Sequence, residues 1–224
     1  MKSLGIKTDK LEEIEIDIAD LHLFANIYIP AQAQAMVLFA HGSGSGRHSK
    51  RNNFVAGVLN EAGFATLLMD LLTRHEEVID EQTLEYRFDI ELLADRVVGV
   101  TDWLRDHDQT SHMKLGYFGA STGAAAALVA ASQRPQAVGA IVSRGGRPDL
   151  AQDVLEDVKA PTLLLVGGWD DIVIAMNQLA ASKMKTTNEL VIIPAATHLF
   201  EEPGKLEEVA AISAKWFKKY LGDQ

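Results

Sequence analysis

The chain has 224 residues, 47% of them hydrophobic and 23% charged, which is enough apolar material for one sizeable core. Its formal net charge of −10, from 31 acidic against 21 basic residues, argues against a basic face for nucleic acid or an anionic membrane. There is no cysteine, which excludes disulfide staples, thiolate metal sites and a cysteine nucleophile together and fits a reducing compartment.

The N-terminal stretch 1–13 is polar, and no apolar run approaches about 18 residues, so a cytoplasmic protein is expected. No linker, low-complexity segment or fixed-period repeat interrupts the chain, and residues 1–224 are read as a single domain. Residues 12–18 and 21–29 alternate apolar and polar around Ala19-Asp20, which predicts an antiparallel hairpin. Short unbroken apolar runs then follow at 36–40, 64–69, 115–118, 138–142, 162–166 and 190–193. Such runs suit strands buried on both faces of a sheet. Helical patterns lie between or after them at 53–62, 84–106, 123–133, 172–184 and 206–221. In 84–106 the positions Phe88, Leu92, Leu93, Val97, Val100 and Leu104 form one apolar face. Repeated strand–helix alternation predicts an α/β fold: about eight strands, mostly parallel, with helices on both faces.

In such sheets chemistry sits beyond the carboxyl ends of the strands. After 36–40 comes His41-Gly42-Ser43-Gly44-Ser45-Gly46-Arg47, whose alternating glycines allow backbone amides to turn toward a bound oxygen. A phosphate loop is a poorer match, because Arg47 stands where the dinucleotide pattern needs glycine and no Gly-Lys-Ser/Thr follows. His41 is read as a structural partner of neighbouring loops. After 115–118 comes Gly119-Ala120-Ser121-Thr122-Gly123, a G-x-S-x-G between a strand and a small-residue helix, as a nucleophile elbow requires. The bland alternative is a glycine-rich turn with an incidental serine. On the functional reading Ser121 is the nucleophile, and the Ser43 and Thr122 amides form the oxyanion hole.

After 162–166 comes Gly167-Gly168-Trp169-Asp170-Asp171. One carboxylate is expected to orient an imidazole and the other to cap the following helix, with Asp170 preferred as the acid and Asp171 as the cap. After 190–193, Pro194-Ala195-Ala196-Thr197-His198 places a histidine in a loop able to reach back over the serine as general base. Serine is a weak nucleophile at neutral pH and needs such a base, while the acid fixes the tautomer of the base. The order Ser121, Asp170, His198, each at a separate strand end, is what sets His198 apart from the other six histidines.

With these four motifs the chain resembles α/β-hydrolases, and among them dienelactone-hydrolase-like proteins, over residues 12–221. The resemblance implies an α/β-hydrolase fold and hydrolysis of a small ester or lactone through an acyl-enzyme. The name-giving members use a cysteine nucleophile, so this chain is more similar to serine members. Only residues 143–161 separate the sixth strand run from the seventh, which leaves no room for a large cap domain. Pocket walls are expected from 42–50, 71–83 and 143–150. Arg144 and Arg47 are read as candidates to pair with a substrate carboxylate, with ordinary loop salt bridges as the alternative. No cofactor or metal is implied, since H-E-x-x-H and His-x-His spacings are absent. The partner is a small-molecule substrate. Acyl transfer or perhydrolysis, and a low-turnover receptor of the same fold, are the alternatives left open.

Overall fold

The computed structural model describes residues 5–222. The hairpin forms as β1 (Leu11–Ile18) and β2 (Leu21–Tyr28), and the apolar runs form β3 (Ala35–Ala40), β4 (Ala65–Met69), β5 (Lys114–Ala120), β6 (Val138–Arg144), β7 (Thr162–Gly167) and β8 (Asn188–Ile193). They make one sheet in the order β1-β2-β4-β3-β5-β6-β7-β8. Strand β2 pairs antiparallel with both β1 and β4, and the pairings from β4 through β8 are parallel.

Alternation along the strands explains why their sequences are unbrokenly apolar. Met36 and Leu38 of β3 enter the core on one face, while Ala35, Val37 and Phe39 enter the core on the other. Successive strand side chains point to opposite faces, so a sheet covered on both sides needs apolar residues at every position. One face is covered by α1 (Lys50–Glu61) and α6 (Lys205–Leu221), through Val55, Leu59, Val209 and Phe217. The other is covered by α3 (Ile90–Asp106), α4 (Thr122–Gln133) and α5 (Asp171–Lys183), through Leu93, Val97, Leu128 and Ala180. Ala124 to Ala127 are wholly buried, and their small side chains let α4 lie close against the central strands.

Two expectations need correction. The helix read at 84–106 begins only at Ile90, where the Asp89 side chain accepts from the Leu92 amide as N-cap. Phe88, counted on its apolar face, is 55% exposed. The stretch 71–83, read only as a pocket wall, contains the further helix α2 (Arg74–Thr83). A capping box builds it: Thr73 Oγ1 accepts from the Glu76 amide, and Glu76 Oε2 accepts from the Thr73 amide. Its sequence is polar and only Asp80 is buried, so apolar periodicity gave no sign of it. Between β6 and β7 the chain forms only a short 3-10 segment, Pro148–Val154, and no large cap. Among the described residues no helix is long and apolar enough to cross a membrane.

Candidate active site

Ser121 occupies the turn between β5 and α4 with φ 50° and ψ −120°, a conformation that costs a non-glycine residue about 1–3 kcal/mol. The strain falls on the serine itself, and its two flanking glycines answer a different need. A Cβ on Gly123 would stand 2.2 Å from the His41 carbonyl oxygen, and one on Gly119 would stand 2.4 Å from the Ala124 Cα. Close backbone packing therefore demands both glycines and holds the serine in place. The turn is tied down further, since the Ser121 amide donates to the Arg144 carbonyl at 3.2 Å and its own carbonyl accepts from the Arg147 amide at 3.1 Å.

Asp170 and His198 come from the ends of β7 and β8. Their loops are stitched together by the Gly168 amide on Ile193 O at 2.8 Å and the Trp169 amide on Ala196 O at 2.9 Å. A Cβ on Gly167 would lie 2.5 Å from both Ala196 O and Thr197 O, so only glycine permits that approach. The result is His198 Nδ1 at 2.7 Å from Asp170 Oδ2, the arrangement that fixes an imidazole tautomer with Nε2 free. Asp170 also stands at the N-cap position of α5 but forms no side-chain cap. Asp171, expected as the cap, is instead the first residue inside that helix, where its charge favours the positive end of the helix dipole.

Ser121 and His198 line one cavity of about 220 Å³, together with Ser43, Arg51, Arg144 and Leu199. Among the described residues the Ser121 hydroxyl holds no hydrogen bond, which leaves it free to turn toward His198. The Thr122 amide opens α4, where helix geometry supplies no intrahelical partner. The Ser43 amide donates to Thr122 Oγ1 at 2.9 Å, so the two candidate oxyanion donors sit side by side across the loop. That loop is braced by His41, whose Nδ1 bonds Gly42 O at 2.9 Å while Nε2 accepts from the Leu71 amide at 3.0 Å. Burial pushes its pKa below the usual histidine value, partly offset by the Gly42 carbonyl and Asp70.

The two arginines separate. Arg47 bonds Asp70 through both its amide (2.7 Å) and its guanidinium, and Glu13 at 2.9 Å. It does not line the Ser121 cavity. The salt-bridge alternative holds for it, because two carboxylates from β1 and the end of β4 reach it first. Arg144 does line that cavity: it is only 7% exposed, and its Nε and Nη1 have no hydrogen-bond partner. Burial, with a smaller contribution from nearby Arg51, pushes its pKa down to about 10. Arg51, which in the sequence is one of several basic residues beside Arg47 with no role of its own, lines the same cavity. Its place in the first turn after the glycine loop was legible, and its approach to the strand ends was not.

Across the loop lies a second cavity of about 190 Å³, lined by Asp70, Leu72, Glu77, Asp80, Arg87 and Thr122 among others. Among the described residues no cluster of three or more His, Cys, Asp or Glu is arranged to hold a metal.

The model of the dienelactone hydrolase family matches residues 23–221. The chain is 57% identical to a dienelactone hydrolase from Anabaena variabilis whose crystal structure is known, with a TM-score of 0.94 over 95% of this chain and 98% of that one. It is 51% identical over 210 residues to two Mycobacterium tuberculosis proteins provisionally named phosphoribosyl transferases, covering 94% of this chain. The chain spans 46% of the length of those relatives. Est1E from Butyrivibrio proteoclasticus shares the fold, with a TM-score of 0.77 at 17% identity over 92% of this chain and 98% of that one.

Proposed function

The chain belongs to the dienelactone hydrolase family, and from that premise we propose that it is a serine hydrolase cleaving a small ester or lactone through an acyl-enzyme. The observation that carries the reading is the Asp170–His198 contact at 2.7 Å, with His198 lining the same cavity as a serine held at φ 50°. On this reading His198 Nε2 takes the proton from Ser121 Oγ as that oxygen attacks the substrate carbonyl. Negative charge develops on the carbonyl oxygen and is met by the Thr122 and Ser43 amides, the latter exchanging its bond to Thr122 Oγ1 for one to the oxyanion. Collapse expels the alcohol, which leaves with the proton held by His198. Water then attacks the acyl group with His198 again as base, and collapse expels Ser121 Oγ, which takes the proton back from His198 as the acid departs; Asp170 stabilises the imidazolium in both halves. Arg144 binds an anionic group of the substrate. Arg47 is given no substrate role, since Asp70 and Glu13 already neutralise it. The phosphoribosyl transferase name is assigned on this reading to the part of the mycobacterial proteins outside the match. Within it, this chain brings together side chains suited to acyl transfer.

Pre-steady-state hydrolysis of a p-nitrophenyl ester tests the proposal. The expected result is a nitrophenolate burst stoichiometric with enzyme, absent in Ser121→Ala. Equal hydrolysis by Ser121→Ala would overturn it.

A further inference from the structure

In a chain of charge −10, the cavity holding Ser121 and His198 is lined, among the described residues, by two guanidiniums and by no aspartate or glutamate. Burying a guanidinium without a counter-charge is costly, so native proteins pair such groups. Arg144 breaks that rule, with both Nε and Nη1 unpartnered. Arg51 is paired only at the surface, where Nη1 bonds the exposed Glu201 at 2.8 Å; its buried Nε has no partner, as is also true of Arg47 and Arg96.

A third source of positive potential converges there. Helix α1 is 12 residues long, and its opening residues Ser49, Arg51 and Asn52 line the same cavity. The Ser49 side chain caps the Asn52 amide, no acidic residue occupies the first turn, and the first two helical amides have no intrahelical partner. A helix N-terminus adds roughly half a positive charge directed at what lies before it. Arg144 is placed opposite by the sheet: it pairs in register with Ala120, the residue before the nucleophile.

We propose that this part of the cavity is a subsite for a phosphate-type dianion carried by the substrate, held between Arg144, Arg51 and the N-terminus of α1. This deepens the hydrolase reading, and rests on it only in making the group part of the substrate. Arg144 and the helix end already exceed the single charge of a carboxylate, and Arg51, held only by the exposed Glu201, completes the match to a dianion when it turns to the ligand. The free donors also approach from different elements, Arg144 from β6 and Arg51 from α1, which suits three tetrahedral oxygens better than two coplanar ones. Ser45 and Ser49 add hydroxyls along the same wall.

Inorganic phosphate is the first probe, titrated calorimetrically into the full chain carrying Ser121→Ala, so that binding is read without turnover. Affinity is expected to fall roughly 10- to 100-fold in Arg144→Met and Arg51→Met, the range for losing charge-assisted hydrogen bonds. Using both variants keeps the test valid if one fails to fold. The second probe compares kcat/KM for p-nitrophenyl 3-phosphonopropionate, the succinate monoester and the butyrate ester on the enzyme with Ser121 intact. The phosphonate is expected to lead, and to lose its lead in Arg144→Met. No phosphate binding, binding unchanged in both variants, or a preference for succinate would overturn the subsite. Phosphate binding that depends on the arginines without any ester hydrolysis would uphold the subsite and overturn the hydrolase reading. A normal burst with no phosphate dependence would do the reverse.

Discussion

The loop at residues 41–47 divides the molecule into two charged regions built on opposite terms. On the β4 side Arg47 meets Asp70 and Glu13, Arg87 meets Asp80 and Arg96 meets Glu76, while Arg74 stacks over the Phe24 ring. There burial alone would raise the pKa of Asp80, but bonds from the Arg87 and Tyr86 amides and the Arg87 side chain outweigh it and hold the carboxyl below its usual range. On the β6 side, among the described residues, Arg144 meets no carboxylate and leaves both Nε and Nη1 unpaired, and the Ser121 hydroxyl carries no hydrogen bond. On the proposed reading, the difference separates architecture from function. Satisfied charges hold α2 and the glycine loop in place, while unsatisfied ones are costly to the fold and free to meet a ligand.

If the contrast is right, changes on the β6 side alter activity while changes on the β4 side alter stability. The largest effect is expected from Asp170→Asn, which should lower kcat by roughly 10³- to 10⁴-fold through loss of the correct His198 tautomer. Its denaturation midpoint should barely move, because Asp170 forms no helix cap. A comparable loss of stability would erase the distinction. Next comes Asp70→Asn, which strands Arg47 with only the exposed Glu13 and should cost about 2–4 kcal/mol in urea unfolding while leaving kcat near wild type. Arg144→Met should move stability the other way, by about +1 kcal/mol, since it removes a buried unpaired charge. Destabilisation by that substitution would mean that Arg144 is a structural element like Arg47.

The smallest effect concerns His41. Burial lowers its pKa from 6.5, so below that pH the unfolded chain binds more protons than the folded one. The stability contributed by this residue is therefore complete above about pH 6.5 and declines as pH falls below it. In His41→Gln, which keeps an acceptor for the Leu71 amide, that part of the slope of unfolding free energy against pH should vanish.

The two regions also differed in how far the sequence could be read. The strands were legible because burial on both faces forces unbroken apolar runs, and the sharp turn at Gly119–Gly123 because its two glycines answer backbone contacts under 2.5 Å. The chain order of Ser121, Asp170 and His198 pointed to one histidine of seven, and that histidine is the one whose ring meets Asp170. Helix α2 was missed because a polar helix with one buried residue has no apolar period, yet Thr73-Arg74-His75-Glu76 carried the capping-box pattern that could have announced it. Arg47 and Arg144 looked alike as letters. What separates them is set by Glu13 and Asp70, 34 and 23 residues from Arg47 in the chain, and no local pattern encodes such pairings.

Intact-mass spectrometry after fluorophosphonate treatment, followed by peptide mapping, tests the central claim most directly. One adduct per chain on Ser121, lost in His198→Ala, is the expected result. No adduct, or one on Ser43, Ser45 or Ser49 along the same cavity wall, would contradict the account.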